Sequence, residues 1–241
     1  EWSDVAEKAR ASAKEVHMGR LFGLMVQKGS ELPDSDERKK YKYRVVFQGN
    51  NVINQNWEAA LFQDMGSSPA TMEASKIADL WSCIEGHSMQ QADAVQAYIQ
   101  AELKGTPTWV SLPPEAWLHA PKQVKEWYDK NKGKYTRPVL RLKKALYGHP
   151  DSGTFWERHC DASLQSVGFE PIVNWPSCYV HKGLELLLIV YVDDFKLSGK
   201  ESNLTKGWEL IRKHLEVEPE TNAALFLGCT HQREEKKNKK G

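Results

Sequence analysis

Two adjacent carboxylates, Asp193 and Asp194, follow an apolar run that ends in Tyr191 and Val192. The run and the short apolar segment after it have the length and composition of strands, which predicts a β-hairpin over residues 184–200 with both aspartates at its tip. Carboxylates held this close repel each other, and a hard divalent cation relieves the repulsion. The stretch therefore indicates a metal site, although an Asp-Asp turn held only by its own backbone hydrogen bonds has the same sequence.

A third carboxylate, Asp93, ends another short segment upstream, and Tyr98 follows it five residues later. If the chain turns just after Asp93, the ring of Tyr98 lines the same pocket. Three aspartates that meet in one place suit a two-metal phosphoryl-transfer site, with magnesium as the preferred ion for oxygen ligands and manganese as an alternative. The other interpretation makes Asp93 a helix cap and Tyr98 a core residue.

A basic segment, residues 38–44, precedes a short strand and contains Lys42 and Arg44. In an extended chain these two side chains project on the same face. Two cations side by side suit a polyphosphate or a nucleic-acid backbone. A solvated basic edge that discourages strand pairing is the alternative.

The elements that must position these residues follow from hydrophobic periodicity and from turn residues. Helices are predicted at 1–18, 67–86, 115–132, 155–167 and 203–215, and further strands at 21–26, 45–47, 109–112, 176–181 and 225–228. The helix at 67–86 is assigned a packing face that consists of Ile77, Leu80, Trp81 and Ile84. The Lys-rich end, residues 231–241, is predicted to be disordered.

Length and composition predict a globular protein, because 241 residues with 40% hydrophobic side chains can bury one large core or two small ones. The net charge of +1 excludes no class of partner. The cysteines are scattered, which favours a reducing compartment over a zinc site or a disulfide framework. No signal peptide or membrane-spanning run is found, so we expect an intracellular, cytoplasmic protein that is a piece of something longer.

From about residue 40 to residue 230 the chain resembles the reverse transcriptase of copia-type LTR retrotransposons. The blocks that carry the resemblance occur in the family's order: Tyr41–Val46, Gln91–Tyr98, Val110–Pro114, Arg141–Gly148, Tyr191–Asp194 and Phe226–Gly228. The block Arg141–Gly148 is nearly identical to a family signature. The loop after it departs from the pattern, because His149-Pro-Asp-Ser-Gly153 stands where the family usually has Leu-Lys-Gln-Ala-Pro.

The resemblance implies an α+β right-hand polymerase fold with fingers, an antiparallel palm sheet and a partial thumb. On this basis we expect residues 1–241 to form a single domain. The segments expected within it are a fingers-side lead (1–86), a first palm segment (87–112), a fingers insertion (113–145), the palm with the catalytic hairpin and the start of a thumb (146–230), and the basic tail (231–241).

The same resemblance implies the roles of the charged candidates. Asp93, Asp193 and Asp194 would hold two magnesium ions and be the catalytic carboxylates. Lys42 and Arg44 would neutralise the triphosphate of the incoming nucleotide.

It also implies roles for the uncharged candidates. Tyr98 would lie under the sugar and reject a 2′-hydroxyl by its bulk. Tyr147 and Gly148 would lie against the nucleotide and the template. Tyr191 and Val192 would touch the primer or the template strand.

The predicted function is template-directed DNA synthesis, with an RNA or DNA template, a primer strand and a dNTP as partners and no membrane contact. The chain would belong to a Pol polyprotein of a retrotransposon particle, whose RNase H and integrase lie outside it. One alternative is a decayed or repurposed fragment that binds nucleic acid without polymerising. Another is a metal-dependent phosphodiesterase that uses the same three carboxylates.

Overall fold

The computed structural model describes residues 1–62, 67–131, 133–232 and 234. The helices are α1 (Trp2–Ala11), α2 (Met72–Ser82), α3 (Ala97–Gln100), α4 (Pro114–Leu118), α5 (Lys122–Asn131), α6 (Ser152–Ser166) and α7 (Glu201–Ile211). The strands are β1 (His17–Lys28), β2 (Lys40–Phe47), β3 (Ile53–Asn54), β4 (His87–Asp93), β5 (Thr108–Ser111), β6 (Leu140–Arg141), β7 (Glu170–Pro171), β8 (Cys178–His181), β9 (Leu186–Tyr191), β10 (Asp194–Lys200), β11 (Thr221–Asn222), β12 (Leu225–Phe226) and β13 (Cys229–Thr230).

The chain separates into two compact units. The first unit contains Glu1–Met65 and Ala101–Phe155, and the second contains Gly66–Gln100 and Trp156–Gly241. The predicted boundaries of fingers and palm segments are not decided by this division and stay a prediction.

The first unit is built on a sheet with the strand order β2-β1-β5-β6, in which β3 also pairs with β1. Strands β1 and β2 form a long antiparallel hairpin, whereas β1 and β5 run parallel. Phe47, Val52 and Val110 form one buried cluster against this sheet, and Trp2, Ala6 and Met18 form a second one that includes α1. The apolar face of α1 is thus the reason that this short helix is stable.

The second unit is built on a six-stranded sheet with the order β11-β4-β10-β9-β8-β7. Every pairing in it is antiparallel. Helices α6 and α7 cover one face, where Leu188, Phe195 and Leu197 are fully buried. Each such side chain contributes about 1.5–3 kcal/mol. The predicted α+β class and the predicted antiparallel sheet are confirmed.

Helix α2 packs with a face other than the predicted one. Its buried residues are Ala74, Ser75, Ala78 and Ser82, whereas the predicted face, Ile77, Leu80, Trp81 and Ile84, is 37–70% exposed. Small side chains allow the helix to approach the sheet closely, and a buried serine is tolerated where its hydroxyl is hydrogen-bonded. Ser75 meets that condition, because its Oγ accepts a hydrogen bond of 2.8 Å from Lys196 Nζ. The prediction for this face was wrong.

Three other predictions need correction. The first helix ends at Ala11 rather than residue 18, because the chain from His17 onward is paired in β1. The predicted strand at 225–228 is a hairpin, in which Leu227 and Gly228 form the turn with positive φ between β12 and β13. Asp194 is the first residue of β10, so only Asp193 of the pair lies in the turn.

Most of the basic tail at 231–241, which was predicted to be disordered, falls outside the described residues. The four cysteines are free thiols, two buried and two exposed. In the part of the chain that the structure covers, no helix combines the length and hydropathy needed to cross a bilayer.

Candidate active site

The hairpin of β9 and β10 carries the Asp pair, and its turn is strained. Val192 has φ 57°, a left-handed conformation that costs a β-branched residue about 1–3 kcal/mol. The indole Nε1 of Trp156 donates a hydrogen bond of 2.7 Å to the carbonyl oxygen of Val192. This contact from α6 holds the turn in the conformation that presents Asp193.

Asp93 meets the pair through strand register. It is the last residue of β4, and it lies directly opposite Asp194 on the antiparallel strand β10. The backbone N–H of Ala94 donates to the carbonyl oxygen of Asp193 at 2.7 Å, which closes the end of the ladder. Side chains of opposed residues project on the same face, so the fold brings the three aspartates to one end of the sheet.

The carboxyl groups influence one another electrostatically. Burial, the charges of Asp193 and Asp93, and a hydrogen bond with the Asp93 side chain raise the pKa of Asp194 to about 6. Because neighbouring negative charges repel each other, Asp194 holds its proton more readily than an isolated carboxylate does.

Within the described ranges, no group of three or more His, Cys, Asp or Glu side chains is arranged to hold a metal ion. The donor chemistry of the three aspartates nonetheless suits magnesium, because carboxylate oxygens are hard ligands. A divalent cation would relieve the repulsion between carboxylates that, after burial, raises the pKa of Asp194. The three aspartates therefore offer the type of donor atom that magnesium prefers.

Tyr98 lies on the short helix α3 that follows the Asp93 strand. It is partly buried and packs against the main core cluster of the second unit. Burial first, and then the charge of Asp193, raise the pKa of its phenol. Gln100 holds this segment by donating hydrogen bonds to the carbonyl oxygens of Val95 and Glu216 at 2.7 and 2.9 Å. That Tyr98 and the Asp pair line one pocket stays a prediction.

The other four predicted site residues belong to the first unit, where they also come together. Lys42 and Arg44 lie on β2, two residues apart and therefore on one face. The Arg44 guanidinium stands over the Tyr147 ring, 5.7 Å from its centroid. The Phe47 backbone N–H donates to the Tyr147 carbonyl oxygen at 2.7 Å.

A glycine is required at position 148, because the backbone there lies close to the backbone of Phe47. Its φ is 88°, and a Cβ on it would lie 2.1 Å from the carbonyl oxygen of Phe47. No side chain fits there, so the glycine of the Arg141–Gly148 block has a structural reason in the approach of two backbone segments.

Comparison with known proteins decides the family. The sequence profile of the family described as reverse transcriptase (RNA-dependent DNA polymerase) matches residues 29–239. The chain belongs to this family. It is similar to a retrovirus-related Pol polyprotein from transposon RE2 of Arabidopsis thaliana, with 26% identity over 148 residues, or 60% of this chain and 9% of the relative.

It is also similar to the Gag-Pol polyproteins of transposons Ty1-DR4 and TyH3 of Saccharomyces cerevisiae, with 31% identity over 117 residues in each case, or 48% of this chain and 6% of the relative. The chain thus spans less than a tenth of these curated relatives. The predicted resemblance to a reverse transcriptase of copia-type retrotransposons is confirmed.

The loop that departs from the usual reverse transcriptase pattern is a packed part of the first unit. His149 is 5% exposed, and its ring lies against Phe47 and Phe62 with centroids 4.9 and 5.5 Å away. The backbone N–H of Asp151 donates to His149 Nδ1 at 3.2 Å. The proton of a neutral ring is therefore on Nε2, which lies 3.2 Å from the hydroxyl of Thr108.

We expect His149 to make the stability of this reverse transcriptase chain pH-dependent. Burial, and next the charge of His17, lower the pKa of His149 from 6.5 to about 4. Between these values the unfolded chain binds the proton more tightly, so the free energy of unfolding should fall as pH drops from 7 to 4. The loss expected from this residue is about 3 kcal/mol.

Urea unfolding of the wild type and of His149→Gln between pH 4 and 7 measures this effect. Glutamine can accept from the Asp151 N–H and donate to Thr108, but it does not titrate. The stability of the variant relative to the wild type should therefore rise as pH falls. Parallel stability curves for the two proteins would exclude a neutral buried His149.

Sequence reasoning missed Trp156, which holds the hairpin turn, and Lys196, which lies two residues from Asp194 on β10. No sequence signal marks the hydrogen bond from Trp156 to the hairpin turn. Lys196 is completely buried on β10. A lysine within a strand of a central, two-sided sheet is a signal that could have been noticed, because such strands are normally apolar throughout.

Proposed function

We propose that this chain is the catalytic part of an RNA-directed DNA polymerase with a right-hand arrangement of fingers and palm. The observation that carries the proposal is the register that sets Asp93 opposite Asp194, with Asp193 beside them. Family membership supports the reaction class: a primer 3′-hydroxyl attacks the α-phosphorus of a dNTP and pyrophosphate leaves.

Asp93, Asp193 and Asp194 are the residues that would hold the catalytic ions. When bound, magnesium ions supply an acidified hydroxyl and compensation of phosphate charge. The carboxylates themselves would fix where the primer end and the α-phosphate lie. Asp194 serves this role in its ionised form, and the charge of a bound cation favours that form.

Tyr98 would border the sugar of the incoming nucleotide, and its half-buried ring is held by the core behind it. The cations Lys42 and Arg44 would bind phosphate oxygens, and the contact of Arg44 with Tyr147 keeps the guanidinium plane oriented. Template and primer would be held mainly by charge, which makes binding salt-sensitive. The remaining Pol domains and the cytoplasmic location stay predictions.

Primer extension tests the function. A labelled DNA primer annealed to an RNA template should lengthen when dNTPs and magnesium are supplied, and a chelator should stop the reaction. A filter-binding assay on the same substrate accompanies it. Binding without extension would support the repurposed fragment instead, and shortening of the labelled strand would support the phosphodiesterase.

A further inference from the structure

The first unit contains a cavity of about 490 Å³ that none of the candidate site residues lines. A cavity of this size suits a small organic ligand, since ligand sites in proteins measure roughly 300–1,000 Å³. Its walls come from the segment before β1, from β1 itself, from the segment after β3 and from the start of α6. The side chains that matter for its chemistry are Glu15, His17, Glu58, Phe62, Asp151 and Phe155.

His17 is the buried polar side chain of this cavity, and it is only 2% exposed. Its Nε2 lies 3.0 Å from Glu15 Oε1 and donates to it, because an ionised carboxylate only accepts. In the neutral ring Nδ1 is therefore an acceptor, and among the described residues no group donates to it. A buried acceptor without a donor is rare and costly, so His17 points to a ligand that supplies an N–H or O–H group.

Three carboxylates add acceptors from different parts of the chain: Glu15 before β1, Glu58 after β3 and Asp151 directly before α6. In the parts of the chain that the structure describes, no three His, Cys, Asp or Glu side chains are arranged to hold a metal ion. The three carboxylates therefore do not converge on one small cation. A ligand with several separate cationic groups can bind them together, and each ammonium group supplies donors only.

Apolar side chains also line the cavity, and they favour a ligand with hydrocarbon segments. Phe62 and Phe155 are both part of the lining. The Phe62 ring lies edge-on to the His17 ring, with centroids 4.8 Å apart. Methylene groups gain from contact with such rings, and ammonium groups are attracted to aromatic faces. A chain of methylenes that joins two or more ammonium groups matches both kinds of lining.

Asp151 belongs to the loop in which this chain departs from the reverse transcriptase pattern, and it stands where the family usually has glutamine. The aspartate adds a negative charge that glutamine lacks. The backbone of this residue is fixed by its hydrogen bond to the buried His149 ring, so the carboxylate starts from an ordered position. The acidic lining is thus a feature of this chain that the family resemblance does not supply.

We propose that this cavity binds a linear aliphatic polyamine, with its ammonium groups against the three carboxylates and one N–H donated to His17 Nδ1. The bound cation offsets the repulsion among the carboxylates and stabilises the first unit by mass action. The inference does not depend on polymerase activity. Binding to the chain alone therefore tests it.

Isothermal titration calorimetry with spermidine measures the binding, at mildly alkaline pH and with magnesium in excess. The imidazole is then neutral and the amines are charged, and magnesium competes for any other carboxylates that could attract the ligand. One spermidine should bind per chain. Glu58→Gln and Asp151→Asn each remove a charge from a different part of the lining and should weaken binding about tenfold. Glu7→Gln, the same type of change at an exposed position of α1, should leave the affinity unchanged.

Two further readouts test the shape of the ligand and the role of the ring. 1-Aminobutane has a similar hydrocarbon chain but one ammonium group, so it should bind at least about tenfold more weakly than spermidine. Two-bond ¹H–¹⁵N correlation spectra should show the Nδ1 signal of His17 moving during the spermidine titration, while the signals of the exposed His119 stay in place.

Several results would overturn the proposal. They are a parent protein that binds no spermidine, an affinity that falls equally in Glu7→Gln, and 1-aminobutane binding as tightly as spermidine, which would assign the cavity to a single ammonium group. A His17 signal that does not move would remove the ring from the site. The spectra are recorded on the parent protein, so they decide even if a variant fails to fold.

Discussion

Replacement of Asp193 by asparagine is expected to slow primer extension by at least about a thousandfold. Asp193 lies in the hairpin turn beside Asp194, which is the register partner of Asp93, so its carboxylate is one of the three anionic ligands proposed for a catalytic cation. The amide keeps the shape but removes the anionic ligand. A loss of about 4 kcal/mol of transition-state stabilisation corresponds to this factor.

The same substitution should leave the stability of the folded protein unchanged or raise it slightly. The contacts that hold Asp193 and its turn are made by backbone oxygens, from Ala94 N–H to Asp193 and from Trp156 to Val192, and the substitution leaves them intact. It also removes repulsion between Asp193 and Asp194. The variant should therefore unfold at the wild-type temperature or slightly above it, which separates lost chemistry from lost folding.

Glu209→Gln is the matched control, since it is the same change from acid to amide at an exposed position of α7, where Glu209 forms a surface salt bridge of 3.1 Å with Lys206. It should extend primers at the wild-type rate. Extension by Asp193→Asn within a few-fold of wild type would remove Asp193 from the set of metal ligands.

Replacement of Tyr98 by alanine is expected to abolish most of the preference for deoxyribonucleotides. The ring packs against the core cluster, and the charge of Asp193 acts on its phenol, so we expect the ring to fill volume beside the carboxylates. Its removal would open space for a 2′-hydroxyl. Single-nucleotide incorporation should show the ratio of kcat/KM for dNTP over rNTP falling by roughly tens- to hundreds-fold, the range in which a pocket discriminates small groups.

Tyr98→Phe keeps the ring and loses only the phenolic hydroxyl, so it should retain the wild-type preference. If bulk is the determinant, only the alanine variant admits ribonucleotides. An alanine variant that polymerises with unaltered selectivity would move the discriminating contact elsewhere. Thermal unfolding of both variants shows whether the cavity left by alanine disturbs the core.

Local patterns were enough to predict the β9–β10 hairpin and its Asp pair. A run of branched apolar residues followed by acidic turn residues allows few other structures, because strand length and turn chemistry are both properties of neighbouring residues. The shared face of Lys42 and Arg44 followed from strand alternation in the same way. The motif blocks, which occur along the chain in the same order as in the family, then identified the family without any knowledge of the fold.

The packing face of α2 shows where such patterns fail. Hydropathy favours Ile77 and Leu80 as the buried positions, but Ala74 and Ala78 are buried instead. The sheet beneath this helix carries the Lys196 side chain, which needs the Ser75 hydroxyl and the Asp79 carboxylate. A helix face is chosen by the surface that it covers, and its own sequence does not describe that surface.

The sequence by itself determined the family, the hairpin and the identity of the acidic residues, because these depend on residues close together in the chain. Only the tertiary structure decided that Asp93 is the register partner of Asp194, that Trp156 holds the Val192 turn, and that Lys196 joins three elements. Strand register between β4 and β10 is set by core packing on both faces of the sheet and by the neighbouring strands. Those contacts join residues far apart in the chain, and short-range periodicity contains no information about them.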